Sequence, residues 1–161
     1  MKKRVSHLLC VCGLATMLAV GALKPSQAFL DKTRFVTDLG VAFFAFHHWV
    51  WNPYKAGSFK TSEPHHIKAM VKGGMALLFV VNRVKAADHL AHVSKSPTLH
   101  KLAGLIDKLQ SGLESEGKSL KAHKFDAASI AALGTSVTSL HSEALKNGYN
   151  IKDVPIHIPG L

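Results

Sequence analysis

The spacing of the apolar residues after Pro97 is the feature that most constrains how this chain folds. These side chains recur at alternating steps of three and four residues, which is the spacing of one buried face of an α-helix. The two series are Leu99, Leu102, Ile106, Leu109, Leu113 and Leu120, followed by Ile130, Leu133, Val137, Leu140 and Ala144. No strand-like alternation occurs before residue 149. The sequence therefore predicts an all-α fold.

Local signals divide the chain into four predicted helices, at about residues 32–54, 63–93, 96–120 and 126–147. Ser62, Ser96 and Asp126 suit N-cap positions, because their side-chain oxygens can accept hydrogen bonds from the unpaired amides of a first helical turn. Pro97 then fits the first position of the third helix, and Gly148 is typical of the residue that terminates a helix. The connections are short, so neighbouring helices should run in opposite directions. We expect an antiparallel up-down four-helix bundle.

The first 28 residues have the pattern of a secretory signal peptide. Three basic residues follow Met1, a mostly apolar segment extends from Leu8 to Leu23, and small residues at Ser26 and Ala28 precede the expected cleavage point. We therefore interpret residues 1–28 as a signal peptide and residues 29–148 as the bundle domain. The mature protein is expected to be secreted or associated with the cell envelope, with no transmembrane anchor.

Cleavage at that point changes the chemistry that remains. Cys10 and Cys12 are lost, which excludes disulfides, thiol catalysis, cysteine-bound zinc and covalent haem. Loss of the four basic residues before the cleavage point lowers the formal net charge from +10 to +6. This charge favours anionic neighbours such as the cell envelope, or it serves solubility alone. The lysines are scattered and form no nucleic-acid-binding motif, so no nucleic-acid partner is expected.

The first predicted helix is apolar on nearly all sides. On a helical wheel, one face belongs to the core, and the opposite face carries Phe44, His48 and Trp51 together with Val41. Two interpretations remain open for this outer face. It binds a partner, a second subunit or a membrane surface, or it is covered by residues 149–161, which we expect to form an extended C-terminal tail. The tail contains two prolines and is long enough to run the length of the bundle.

The segment FHHWVWNPYKAGSF, residues 46–59, resembles a segment found in small secreted helical proteins of Gram-positive bacteria that are themselves uncharacterised. The resemblance covers this segment and part of the second predicted helix. It implies export and a helical fold. It implies no activity, so no functional residue is carried over from it.

A possible metal site lies at the end of the second predicted helix. Its predicted inward stripe consists of Ile67, Met70, Val71, Gly74, Leu77, Leu78 and Val81. After Val81 the stripe turns polar, and Asp88, His89 and His92 fall within one arc of the helix. His141 lies on the predicted inward face of the fourth helix, and an antiparallel bundle brings it to the same end, close to Asp31 or His100. Nitrogen and oxygen ligands of this kind suit zinc, copper or nickel. The alternative is a polar layer that holds no ligand.

A second, looser group of histidines lies at the opposite end of the predicted bundle. Its members are His47, His48, His65, His66 and His123. Only one Glu-x-x-His spacing occurs, which excludes a carboxylate-bridged di-metal bundle. Haem bound without a covalent link stays open as a further alternative.

Motifs of known catalytic sites are absent from the sequence. The chain has no His-Glu-x-x-His, no Gly-x-Ser-x-Gly and no phosphate-binding loop. We therefore expect a non-enzymatic protein with no obligatory cofactor, either a helical binding or cell-surface interaction protein or an exported metal-binding bundle. The oligomeric state does not follow from the sequence.

Overall fold

The structure is a computed structural model that describes residues 27–122, 124 and 126–161. Residues 1–26 of the predicted signal peptide, and His123 of the looser histidine group, lie outside the described residues. The elements are α1 (Gln27–Phe46), a π-helical turn (His47–Trp51), α2 (Asn52–Lys55), α3 (His66–Val93), α4 (Pro97–Lys121) and α5 (Ala127–Lys146). The described part of the chain contains helices and no β-strand, which confirms the prediction of an all-α fold.

The predicted starts of α4 and α5 and the end of α5 are confirmed, although Ser96 makes no side-chain capping bond. The predicted starts of the first two helices are wrong: α1 begins at Gln27 and not near residue 32. Asp126 caps α5, because its carboxylate accepts hydrogen bonds from the amides of Ala128 and Ser129. Ser96 and Pro97 begin α4, and Gly148 follows α5 with a φ of 80°. Ser62 does not cap α3, which begins three residues later than predicted. Hydrogen-bonded turns precede the helix instead: the Lys60 amide donates to the Gly57 carbonyl, the Glu63 amide to the Lys60 carbonyl and the His66 amide to the Glu63 carbonyl.

The first helical segment continues through Pro53 to Lys55 because a π-helical turn lies directly before the proline. Proline cannot donate the usual hydrogen bond to the carbonyl four residues earlier, and a wider turn is a common way for a helix to accommodate such a change. A π-helical turn holds more residues than an α-helical turn. The side chains after His47 are therefore rotated away from the positions that a regular helical wheel predicts.

Four helical segments pack together around one apolar core. α3 packs against α1 and α4, and α4 packs against α5. Two side-chain contacts join the first segment to α5: the Phe43 ring lies edge-on to His141 with centroids 6.2 Å apart, and Trp51 lies against Gly134. The largest fully buried side chains include Phe35, Phe46, Leu39, Leu77, Leu99, Leu102, Ile106, Leu109, Leu113 and Leu120.

The predicted inward stripe of α3 is wrong at several positions. Ile67, Val71 and Leu78 were expected in the core and are exposed. Met70, Gly74, Leu77 and Val81 of the predicted stripe are buried, but the buried face also includes Gly73, Ala76, Val80, Val84, Ala87, Leu90 and Ala91. Much of this face repeats every seven residues, as in Met70, Leu77, Val84 and Ala91. Ile67 is exposed in the first turn, so the helical wheel was centred on the wrong side of α3 from its start, and the difference between 3.5 and 3.6 residues per turn adds to this offset along the helix.

Residues 149–161 follow α5 without helix or strand and lie against α1, α3, α4 and α5. The contact with α3 is near the end of the chain, where a Cβ added at Gly160 would lie 3.7 Å from Met75 Cε. The buried Tyr149 side chain meets the Thr98 hydroxyl of α4, with 2.5 Å between the two oxygens. The Ile151 carbonyl accepts a hydrogen bond from His141 Nε2 at 2.9 Å. On α1, the Gly40 carbonyl accepts one from the amide of Val154 at 3.0 Å. This segment therefore packs against the helices over at least its first half.

Candidate metal centre

Asp88 and His92 of α3 and Asp107 of α4 form a group of possible metal ligands at the α3–α4 contact. One ligand atom from each residue lies within 4.8 Å of the other two. His92 Nε2 is 3.4 Å from Asp88 Oδ1 and 3.5 Å from Asp107 Oδ1. Asp88 and His92 share a face because they are four residues apart on one helix. The packing of α4 on α3 supplies the third side chain.

Asp88 is the least exposed member of this group. Its side chain is 22% exposed, compared with 51% for His92 and 53% for Asp107. Burial raises the pKa of the Asp88 carboxyl, and the nearby Asp107 carboxylate raises it further, while His92 and His89 oppose the shift. Asp88 Oδ1 is buried and accepts no hydrogen bond from the described residues. His92 Nε2 lies 3.4 Å from this oxygen but makes no hydrogen bond to it.

The predicted ligand set is only partly brought together. Asp88 and His92 are adjacent as the sequence predicted, but His89 is exposed and lies outside the group. Neither Asp31 nor His100 belongs to it. Because the core face of α3 follows a seven-residue repeat, Asp88 and His92 lie at the edge of the bundle and not in its interior.

His141 lies elsewhere, between α1, α5 and the segment after α5. Besides bonding to the Ile151 carbonyl, it lines a pocket of about 390 Å³ that also contains Phe43, His47 and Asp153. His47 Nδ1 is 2.8 Å from Asp153 Oδ2 in this pocket. His141 therefore does not join the α3 ligands, and the predicted four-residue site needs this correction.

Sequence reasoning missed Asp107, although one signal points to it. Lys85 of α3 pairs with Glu114 of α4 at 2.9 Å. Moving seven residues forward from Lys85 and seven residues back from Glu114 leads to His92 and Asp107. The same step of two turns on both helices therefore predicts that His92 and Asp107 face each other. The pattern is visible only after α3 and α4 are assigned as neighbours.

The predicted partner-binding residues lie in two different ring clusters. Phe44 is half-buried and stacks on the exposed His48 at a centroid distance of 5.4 Å, with Trp49 edge-on to both. Trp51 instead stacks with Phe46 and Tyr54 and lies against α5. The predicted outer face is therefore wrong at Trp51, which is partly buried against α5 after the π-helical turn, and at Val41, which is buried. A role of Phe44, His48 and Trp51 in binding a partner stays a prediction.

Comparison with protein-family models, with curated proteins and with solved structures finds no match to this chain. Within the described ranges, no helix combines the length and the apolar character needed to cross a bilayer.

The buried carboxyl of Glu116 in α4 provides a test of the α4–α5 packing. Its side chain is 4% exposed, and its Oε1 accepts no hydrogen bond from the described residues. Burial raises its pKa, the Asp126 carboxylate raises it further, and the Ser129 hydroxyl offsets part of the effect. Because the folded state holds the proton more tightly than the unfolded state, ionisation of Glu116 destabilises the fold as pH rises above the ordinary glutamate value of 4.5.

We expect Glu116→Gln to raise the free energy of unfolding at neutral pH by about 1 kcal/mol, because it removes a buried charge. The gain should shrink when urea unfolding is repeated below pH 4.5. Glu114→Gln is the matched control, since Glu114 is more exposed and pairs with Lys85, and it should bring no gain. An equal gain from Glu116→Gln at both pH values would contradict the assigned cause.

Proposed function

We propose that this chain is an exported, non-enzymatic binding protein whose ligand is a divalent transition-metal ion held by Asp88, His92 and Asp107. The observation that carries the proposal is the convergence of one imidazole nitrogen and two carboxylate oxygens from two helices at one point. Export is supported by the signal-peptide pattern of residues 1–28. Absence of catalytic motifs from the sequence supports a binding role.

The chemistry of the three ligands favours zinc, copper or nickel. Imidazole suits these metals, and carboxylate oxygens complete mixed sites of this kind. An ion at this position would neutralise the two neighbouring carboxylates and give the buried Asp88 Oδ1 a partner. Three protein ligands leave one coordination position for water or another molecule, so the site would be open and not a closed structural centre.

Protons compete with the ion for the same atoms. Because the pKa of Asp88 is raised, metal binding has to displace a proton from this carboxyl over a wider pH range than from an ordinary aspartate. Affinity should therefore fall as pH falls through that raised pKa.

We further propose that the helices form an antiparallel up-down bundle and that residues 149–161 form an extended tail across it. Support comes from the order of the contacts. Along α3 and α4, Lys85 meets Glu114, and the later His92 meets the earlier Asp107. Between the first helical segment and α3, Asp38 meets Arg83 and the later Trp49 meets the earlier Gly73. Between the first segment and α5, Phe43 meets His141 and the later Trp51 meets the earlier Gly134. Hydrogen bonds of residues 151 and 154 to α5 and α1 support the placement of the tail.

The metal proposal predicts that Zn²⁺ stabilises the untagged protein and that His92→Ala abolishes the effect. At a free Zn²⁺ concentration ten times the Kd, the parent should gain about 1.4 kcal/mol in its free energy of unfolding. Urea unfolding with Zn²⁺ and with a chelator measures this gain. Asp107→Asn should remove most of it.

His89→Ala is the matched control for this experiment, because His89 is an exposed histidine beside Asp88 but outside the group. It should keep the full stabilisation by Zn²⁺. Equal stabilisation of His92→Ala and the parent would contradict the proposal. A loss in His89→Ala as large as in His92→Ala would contradict the ligand assignment and favour a site confined to α3.

A further inference from the structure

The N-terminal half of α3 exposes a row of apolar side chains to solvent. Ile67, Val71, Met75 and Leu78 are 57%, 42%, 44% and 43% exposed. Their spacing of four, four and three residues places them on one side of the helix, over a length of about 17 Å. We call these four residues the α3 apolar stripe. They account for half of the large exposed hydrophobic side chains that are found in the described residues.

Lysines border this stripe on both sides. Lys68 and Lys72 follow Ile67 and Val71 by one residue each and lie along one edge, beside a shallow pocket. On the other edge, Lys121 of α4 lines a cleft of about 290 Å³ together with Val71, Met75 and Leu78. Lys118 is also exposed, one turn before Lys121.

Glu63 lines the same shallow pocket as Lys68 and Lys72, at the N-terminal end of the stripe. Glu114, further along α4, is already paired with Lys85. The border of the stripe is therefore positively charged.

We propose that the α3 apolar stripe and its bordering lysines form a docking surface for an anionic lipid bilayer. An apolar helix face with basic residues along its edges is the arrangement that lies in the plane of a membrane interface. The apolar side chains enter the boundary between headgroups and acyl chains, while the lysine ammonium groups reach the lipid phosphates. This contact is peripheral and does not involve the Asp88, His92 and Asp107 group at the other end of α3.

The charges favour lipid over a second copy of the chain as the occupant. A symmetric dimer through this face would bring Lys68, Lys72 and Lys121 of one copy towards the same residues of the other. Such a contact buries like charges together, whereas an anionic bilayer neutralises them. The stripe also contains only four side chains, which suits shallow insertion.

Vesicle co-sedimentation tests the lysines. The protein is recovered from cells that express the full chain, and binding is measured to vesicles of phosphatidylcholine with and without phosphatidylglycerol, in the presence of chelator. We expect binding to the anionic vesicles alone, weakening as salt rises. Lys68→Gln with Lys72→Gln should lower the partition coefficient by roughly fivefold for each lysine removed. Lys101→Gln with Lys108→Gln removes the same net charge from the first half of α4 and should lower it much less.

A second pair of variants tests the apolar side chains. Val71→Thr keeps the branched shape, and Met75→Gln keeps the length and helix propensity, so the fold should be retained. Together they should lower partitioning by roughly tenfold. The control is Leu145→Gln, which alters an exposed leucine of α5 outside the stripe. The mass of each purified variant is checked to show that the predicted leader is gone, because an uncleaved apolar leader would bind vesicles of both kinds by itself.

Three outcomes would overturn the inference. The parent fails to bind anionic vesicles, or binds both kinds of vesicle equally, or the stripe variants bind as well as the Leu145→Gln control. If the stripe variants instead break a dimer seen by sedimentation, and vesicle binding is unchanged, the occupant is a second copy and the lipid assignment is wrong.

Discussion

Gly134→Ala is expected to destabilise the protein by about 3 kcal/mol, near the upper end of typical overpacking costs. The six-membered ring of Trp51 lies directly over the Gly134 backbone, and a Cβ added there would lie 2.6 Å from Trp51 Cη2. The indole is itself stacked between Phe46 and Tyr54, so it cannot turn aside freely. Urea unfolding followed by circular dichroism measures the loss.

Gly104→Ala is the matched control for this substitution. Gly104 is also a helical glycine, but a Cβ added there meets nothing within 4 Å. Its replacement should stabilise the protein by about 0.5–1 kcal/mol through helix propensity alone. A double-variant cycle completes the test: Gly134→Ala should cost much less when Trp51 is already alanine. If Gly134→Ala matches Gly104→Ala, Trp51 does not lie where the structure places it.

Gly40→Ala is expected to cost about 3 kcal/mol and to release the segment after α5. A Cβ added at Gly40 would overlap the carbonyl oxygen of Lys152 and lie 2.9 Å from Val154 Cγ2. The Lys152 carbonyl belongs to the backbone and cannot avoid the added Cβ by changing a side-chain rotamer, so the C-terminal segment must move away from α1. That movement breaks the hydrogen bond from the Val154 amide to the Gly40 carbonyl.

Hydrogen exchange distinguishes release of this segment from general destabilisation. In Gly40→Ala, the Val154 amide should lose its protection, while the core amides of α4 should lose only the roughly 100-fold that a fall of about 3 kcal/mol in global stability produces and should remain the slower to exchange. Gly104→Ala again serves as the control and should leave Val154 protected. Unchanged protection of Val154 in Gly40→Ala, with an unchanged unfolding midpoint, would contradict the observed path of residues 149–161.

Helix propensity alone does not predict the effect of replacing Gly40 or Gly134. A glycine inside a helix normally lowers its stability, and the sequence alone leaves open whether it permits a close approach. Gly40 and Gly134 permit close approaches, to the C-terminal segment and to Trp51. Gly104 permits no close approach of this kind, although all three glycines lie inside helices and look alike in the sequence.

The candidate metal centre was partly predictable, and the reason is local geometry. Asp88 and His92 follow from the spacing of four residues on a helix, which holds whatever the helix packs against. Asp107 and the exclusion of His141 depend on which faces of α4 and α5 meet their neighbours. The helical wheel was centred on the wrong side of α3 from its start, and a small error in the assumed helical repeat adds to this offset along its 28 residues.

The sequence by itself determined the helical class, the starts of α4 and α5, and the end of α5, because helix periodicity and capping act within a few residues of the chain. Tertiary structure decided which side of α3 is buried, where Trp51 points and which third ligand joins Asp88 and His92. These features depend on the π-helical turn before Pro53 and on contacts between residues far apart in the chain. Such contacts are selected by the packing of whole faces, and the local pattern does not specify them.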